Sequence, residues 1–489
     1  MSIDRDCPLP SEISRRAMLW KAYNGLGGVA LSSLLAQDIA RAAAFNPLTP
    51  KPQHFPAKAK NCIFLYMSGG VSQMDTFDFK PELNKLAGKP LPTKIPGVHG
   101  QLEQFLKQQN PVLPIVFPFE RRGQSGRLMS VLFEHMGKFA DDFAFVHGIM
   151  GDSNNHGPST MHVNTGSVMP GAPSVGAWVA YGLGSENQNL PGYLVLHDHR
   201  GGPVNGAAVW QNGYLPAAYQ GTVLRPSGTP ILNLASPPGV SKERTRAELD
   251  LLRWMNEKHA AEQPARDELE ARIAAYELAF RMQTEAPAVM DISQEPEHIK
   301  KLYGLDNPVT ESYGRQCLLA RRLVEQGVRF TLLIHGHENG FNSWDNHREI
   351  KHTLLSRIRE VDKPIAGLLT DLKQRGLFDE TLVVWTSEMG RTPFTNPGQT
   401  PSPAAGRNHN QFGMVSWFAG GGVKGGADVG MTDDFGLKAV GEPIPMRDMH
   451  ATLLYLLGLK HESLTYLNEG RFKRLTEVGG NVLKGVLAG

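Results

Sequence analysis

Cysteine is scarce in this chain, with Cys7, Cys62 and Cys317 the only three among 489 residues. So few cannot form a disulfide framework for a domain this large, so the core must supply stability. Charge bias is lacking too: lysine and arginine total 50 against 48 acidic residues, a net of +2. With no block of like charge, a nucleic-acid partner is not expected. The best apolar runs, Ile63 to Met67 and Thr452 to Leu459, fall far short of the roughly 20 residues a membrane helix requires. No transmembrane segment is therefore expected. Gly-x-Ser-x-Gly, His-Glu-x-x-His, Cys-x-x-Cys and Gly-x-x-x-x-Gly-Lys-Ser/Thr are all missing, which removes four familiar routes to hydrolysis, redox chemistry or nucleotide binding. The glycine run Gly420 to Gly426 lacks the helix start that a phosphate cradle needs and reads as a turn.

What is present begins with a targeting pattern. Ser14-Arg15-Arg16-Ala17-Met18-Leu19 is a paired-arginine region, a mildly apolar stretch runs from Ala22 to Ala36, and Ala42-Ala43-Ala44 offers a small-residue cleavage site. Residues 1–44 read as a twin-arginine signal peptide, against the alternative of an ordinary amphipathic helix that Gly25, Gly27 and Gly28 would weaken. The expectation is a protein exported by the twin-arginine translocation machinery, periplasmic or secreted.

Residues 45–489 read as one α/β domain. Cys62 to Met67 is a continuous apolar run opening into Ser68-Gly69-Gly70, the pattern of a buried parallel strand. Similar runs recur at Phe143 to His147, Tyr193 to Leu196, Arg329 to Ile334, Thr381 to Thr386 and Met414 to Ala419. Helical patterns at Ser312 to Gln326 and His347 to Arg375 end at Gly327 and Gly376, as helix C-termini often do. Strands alternating with helices predict a largely parallel central sheet with helices on both faces. A helix pair about residues 241–285 is expected as an insertion packed on it. The Gly, Pro, Asn and Ser-rich segment 151–235 is expected to form long ordered loops over the rim at the strand carboxyl ends, where such sheets bind ligands.

Acid, histidine and arginine residues gather just after these strands. Asp75 and Asp78 leave the first strand in a loop suited to a hard cation, although Asp78 also fits turn chemistry. Asn154-Asn155-His156-Gly157-Pro158-Ser159-Thr160 pairs a histidine with hydroxyls, as a base and nucleophile or as a hydrogen-bonded loop. His335, His337, Glu338, Asp345 and His347 follow the Arg329 strand, and a mixed histidine and carboxylate set favours zinc, manganese or iron. Asp345 also fits a helix cap. Glu388 and Arg391, then Arg407 and His409, follow the Thr381 strand, and arginines beside cation ligands suit a doubly charged oxyanion. Asp448 reads as the N-cap of a helix.

Gly-Gly-x-Ser-Gln-x-Asp-Thr-Phe-Asp-x-Lys-Pro, the Asn-His loop, Trp-Asp-x-His, Thr-Ser-Glu-x-Gly-Arg-Thr-Pro, Gly-Arg-x-His and Ala-Thr-Leu-Leu-x-Leu-Leu-Gly-Leu together resemble the exported bacterial domain-of-unknown-function family 1501, across residues 61 to about 477. That family is similar to sulfatases and alkaline phosphatases, which implies an alkaline-phosphatase-like sandwich with metal at the strand ends. The sequence departs from the superfamily where Gly69-Gly70 replaces an aspartate, where Glu388-Met389 replaces Asp-His, and where no sulfatase nucleophile has a counterpart, leaving Ser159 or Thr160.

Two functions follow as expectations. In the first, the protein is a metal-dependent hydrolase of sulfate or phosphate esters on a small molecule or glycan. Asp75, Asp345, His347, Glu388 and His409 hold a divalent ion (zinc, manganese or calcium), Arg391 and Arg407 hold the oxyanion, Ser159 or Thr160 stands as the candidate nucleophile and His156 transfers a proton. In the second, it is a catalytically degenerate member that binds a glycan or an envelope partner.

Overall fold

A computed structural model describes residues 47–225, 231, 239–262, 267–337 and 343–489. The expected signal peptide and Glu338 lie outside these residues.

The first strand, β1 (Asn61–Met67), is buried along its whole length. Its unbroken apolar run fits this place, since a strand covered on both faces has no polar side to alternate with. The others, in chain order, are β2 (Phe119–Arg122), β3 (Arg127–Ser130), β4 (Ala144–Met150), β5 (Tyr193–Leu196), β6 (Thr222–Leu224), β7 (Phe330–His335), β8 (Thr381–Thr386), β9 (Gly390–Thr395), β10 (Arg407–Asn410), β11 (Met414–Gly420), β12 (Asp428–Val429), β13 (Ile444–Pro445), β14 (Tyr466–Asn468) and β15 (Arg471–Lys473). Among the described residues one nine-stranded sheet dominates, ordered β12-β4-β11-β8-β1-β7-β5-β6, with β13 also paired to β4. Within it β11 runs antiparallel to β4 and β8, and the remaining pairings are parallel. The largely parallel α/β sheet expected from the sequence is thus present. Every sheet strand read from the sequence lies within a residue or three of its expected bounds, whereas the short ribbon of β9 and β10 was not anticipated.

The longer helices are α1 (His156–Thr165), α2 (Val175–Leu183), α3 (Lys242–Glu262), α4 (Asp267–Met290), α5 (Glu311–Glu325), α6 (Ile350–Gln374) and α7 (Met446–Leu456). Two of them correct the loop reading of segment 151–235, which holds α1 and α2. The helix α2 opens on Ser174, whose Oγ accepts a hydrogen bond from the Ala177 amide, a cap that offsets its two glycines, Gly176 and Gly182. In α7 the residue before the helix is Pro445; Asp448 lies in the first turn and accepts from the Asn481 amide at 2.9 Å, so it ties down the C-terminal segment and does not cap.

Helices α3 and α4 form the expected pair, joined by Arg246 and Arg253 on Glu277. Their packing differs from the sequence reading. Leu278, Met282, Ala286 and Val289 of α4 join the main core, but Leu252, Trp254 and Met255 of α3 remain exposed.

His450 of α7 is buried, with Nε2 donating to the Val163 carbonyl at 2.9 Å. Burial pushes its imidazole down to about 4. The folded state therefore binds fewer protons than the unfolded chain between that value and the ordinary one near 6.5, and stability falls as pH drops through this window. Acidification from pH 7 to 4 should cost wild type about 2–3 kcal/mol more than His450→Gln, measured by urea unfolding.

Candidate metal centre

The parallel strands β4, β7 and β8 and the antiparallel β11 bring their connecting segments to one rim. β8 delivers Glu388, the segment after β7 delivers Asp345 and His347, the segment after β4 delivers His156 at the start of α1, and β10 leads into β11 with His409. The loop after β1 closes against them. Gly69, at φ +124°, packs so tightly that a Cβ there would lie 2.5 Å from the Asp345 amide nitrogen. Glycine at this position has a steric reason: the Trp344–Asp345 backbone occupies the space a side chain would need.

His156, Asp345, His347 and His409 offer ligand atoms that all lie within 4.8 Å of one another. Their focus is Asp345 Oδ1, which is 3.4 Å from His156 Nε2, 3.2 Å from His347 Nε2 and 3.3 Å from His409 Nε2. Each imidazole is oriented through its other nitrogen. His156 Nδ1 meets Glu388 Oε1 at 2.8 Å, His347 Nδ1 meets Asn396 Oδ1 at 3.1 Å, and His409 Nδ1 meets the Asn154 carbonyl at 2.7 Å. Because the Asn396 and Asn154 oxygens accept, His347 and His409 carry their proton on Nδ1 and turn an Nε2 lone pair inward, the arrangement that metal-binding histidines require, whereas His156 must first give up its Nε2 proton to do the same.

Electrostatics make the same point. Burial, together with the Arg391 charge, holds His347 down at about 4, and burial holds His409 below its ordinary value, so both are neutral. Their Nε2 atoms nonetheless face each other at 2.8 Å, two lone pairs in contact beside a carboxylate. Such a pair is repulsive unless a positive charge, or a proton shared between the two nitrogens, offsets it. His156 differs, since burial lowers its pKa but the Asp345 and Glu388 carboxylates outweigh that and raise it to about 9. Its Nε2 is buried and has no hydrogen-bond partner, its approach to Asp345 being an ion-pair distance without hydrogen-bond geometry. Asp345 is held far below the usual carboxylate range, because the Arg391 guanidinium and the histidines outweigh its burial. Arg391 does not fill the gap between the imidazoles. It donates to Asp345 Oδ1 at 2.6 Å and to the carbonyls of Gly69, Gly70, Trp344 and Arg407.

A convergent set of three imidazole nitrogens and one carboxylate oxygen, with a buried unpartnered Nε2 among them, fits a divalent ion with borderline preference for nitrogen. Of the residues read from the sequence, Asp345, His347 and His409 come together as expected, and His156, expected as a proton carrier, joins them. Glu388 is displaced outward. Its carboxylate accepts from the Gly69 amide at 2.7 Å and Tyr66 Oη at 3.0 Å as well as meeting His156, so it orients that imidazole. Asp75 and Arg407 are not part of the group. They form a wholly buried pair, Arg407 Nε to Asp75 Oδ2 at 2.7 Å. Ser159 Oγ is also spoken for, donating to the Ser153 carbonyl at 2.8 Å. Asn396 escaped the sequence reading, although Asn396-Pro397 directly after β9 is the kind of turn dipeptide that ends a strand at a rim.

The model of the family described as "Protein of unknown function (DUF1501)" matches residues 59–487. The chain belongs to the DUF1501 family. Its expected membership, read from motifs that include Trp344-Asp345-Asn346-His347 and Gly406-Arg407-Asn408-His409, is thereby established. No curated protein matches this DUF1501 chain. Among solved structures it is similar to Ps i-CgsB in complex with k-i-k-neocarrahexaose, at 11% identity and a TM-score of 0.36 over 82% of this chain and 72% of that one. It is also similar to alkaline phosphatase from the Antarctic bacterium TAB5, at 10% identity and a TM-score of 0.35 over 82% and 99% of the two chains. The lipoteichoic acid synthase LtaP from Listeria monocytogenes matches at 10% identity and a TM-score of 0.32 over 87% and 78%. At such identities and scores none of their chemistry transfers to the DUF1501 chain.

Proposed function

We propose that this protein is an exported, metal-dependent hydrolase of sulfate or phosphate esters built on a single ion. The observation that carries the reading is the convergence of three Nε2 atoms on Asp345 Oδ1 with every Nδ1 already engaged. His156, His347, His409 and Asp345 would hold the ion, and so nitrogen-rich a set favours zinc or manganese over calcium. When bound, the ion supplies Lewis acidity and brings water toward ionisation at neutral pH.

The chain's own residues set the rest. Glu388, backed by Gly69 and Tyr66, fixes the His156 tautomer, and Arg391 fixes the carboxylate of Asp345 against the backbone of Gly69 and Gly70. The nearby hydroxyls are engaged: Thr160 with Tyr66, Ser159 with Ser153, and Ser387 with the Met67 carbonyl. Attack by water, without a covalent serine intermediate, suits this arrangement. The four ligand side chains remain partly exposed, which leaves one side open to an ester.

A second reading rests on a specific observation. Neither Arg391 nor Arg407 is free to clamp an oxyanion, and this favours a member that binds a glycan or envelope partner without turning it over. Assays of 4-nitrophenyl phosphate and 4-nitrophenyl sulfate separate the two. Turnover that disappears on chelation, returns with zinc or manganese and falls at least about 100-fold in Asp345→Asn supports hydrolysis. Metal-loaded protein that binds acidic glycans and turns over neither ester supports the binding reading.

A further inference from the structure

A second polar cavity, of about 760 Å³, lies at the carboxyl ends of β5, β6 and β7. Asp198 and Arg200 follow β5, Arg225 follows β6, His335 closes β7, and α5 contributes Tyr313 and Gln316. Its floor is a saturated ionic network. Arg200 pairs with Asp198 at 2.6 Å and Glu360 at 2.9 Å, Arg357 also pairs with Glu360 at 2.8 Å, and His335 Nε2 donates to Glu360 at 2.8 Å. Two positive and two negative groups balance there, so the floor is rigid and adds no net charge.

The wall is not satisfied. Tyr313 is 3% exposed and Gln316 is 1% exposed, yet Tyr313 Oη and Gln316 Oε1 have no hydrogen-bond partner. A buried donor or acceptor left in this state costs about 1–3 kcal/mol, and here one of each lines the same cavity. The guanidiniums of Arg225 and Arg315 add charge: Arg225 has no partner among the described residues, and Arg315 has only a long, exposed 3.7 Å pair to Glu311. Set against Glu311, which also lines the cavity, the two arginines leave one net positive charge beside an unused hydroxyl and an unused amide oxygen.

We infer that this cavity binds an acidic saccharide, with Arg225 and Arg315 taking a carboxylate or sulfate and with Tyr313 and Gln316 taking ring hydroxyls. An inorganic anion would use the arginines and leave the buried pair unsatisfied; a neutral sugar would do the reverse. The site neighbours the histidine cluster, since the Trp344 indole donates to His335 Nδ1 at 3.0 Å and Asp345 is the next residue, but it depends on no metal.

The test is calorimetric titration of the full chain with a glucuronate-containing disaccharide, a neutral disaccharide and inorganic sulfate, in chelator throughout. The acidic disaccharide should bind at least about tenfold more tightly than either of the others. Arg225→Ala with Arg315→Ala should remove that preference, and Tyr313→Phe, which keeps the ring and its packing, should weaken both sugars about three- to tenfold. The preference should persist in His347→Ala with His409→Ala, so that a failed metal centre and a failed saccharide site are told apart. Equal binding of acidic and neutral sugars, sulfate binding as tightly as the disaccharide, or a Tyr313→Phe protein indistinguishable from wild type would each overturn the assignment.

Discussion

Protein loaded with zinc or manganese and then desalted should hold about one equivalent of metal, and His347→Ala with His409→Ala should hold under a tenth of that, read by elemental mass spectrometry. These two imidazoles are the neutral pair whose Nε2 atoms face one another at 2.8 Å, so removing both deletes half the donor set while leaving the Arg391–Asp345 pair intact. Glu388→Gln supplies the graded comparison. It keeps a group of the same size against Gly69 and Tyr66 but weakens the hold on His156 Nδ1, and losing such an orienting partner typically costs 10- to 100-fold in metal affinity. Wild-type protein that stays metal-free after loading would remove the centre. Metal retained at one equivalent in the double variant would move it elsewhere in the chain.

The sheet was legible because its signal is local. Unbroken apolar runs such as Cys62 to Met67 can satisfy neither a helix of ordinary length nor an exposed strand, so they specify buried parallel strands without knowledge of their neighbours. Segment 151–235 misled because α1, HGPSTMHVNT, is buried over most of its length and so lacks a polar side. A helix without an apolar stripe has no 3.6-residue pattern to read. The exposed Leu252, Trp254 and Met255 of α3 misled in the opposite direction, since aromatic content does not reveal on which side of a helix the protein lies.

The centre was legible in part for a related reason. Asp345 and His347 share a short segment, and His409 follows a recognisable strand-end arginine, so residue type and spacing sufficed. The roles of Asp75, Arg407 and His156 depended on pairings across hundreds of residues: 332 positions separate Asp75 from Arg407 and 232 separate His156 from Glu388. A carboxylate at a strand end looks the same in sequence whether it faces a metal or a buried guanidinium.

That distinction gives the second large effect. Asp75→Ala is expected to lower the unfolding free energy by about 3–5 kcal/mol in urea titrations while leaving bound metal near one equivalent. All five donors of Arg407 are engaged, on Asp75 and on the carbonyls of Leu113, Pro114 and Pro393, and both residues are fully buried. Deleting the carboxylate strands a guanidinium charge in the core and removes the acceptor for Ser72 Oγ and the Val116 amide. Replacing both members, Asp75→Leu with Arg407→Met, leaves no uncompensated charge and should recover much of the loss, because apolar replacement of a buried pair is often neutral or stabilising. Measured beside Asp75→Leu and Arg407→Met singly, the double variant closes a cycle that isolates the pair from the damage each single change does alone. If Asp75→Ala instead sheds metal at unchanged stability, Asp75 is a ligand and its pairing with Arg407 gives way when the ion binds.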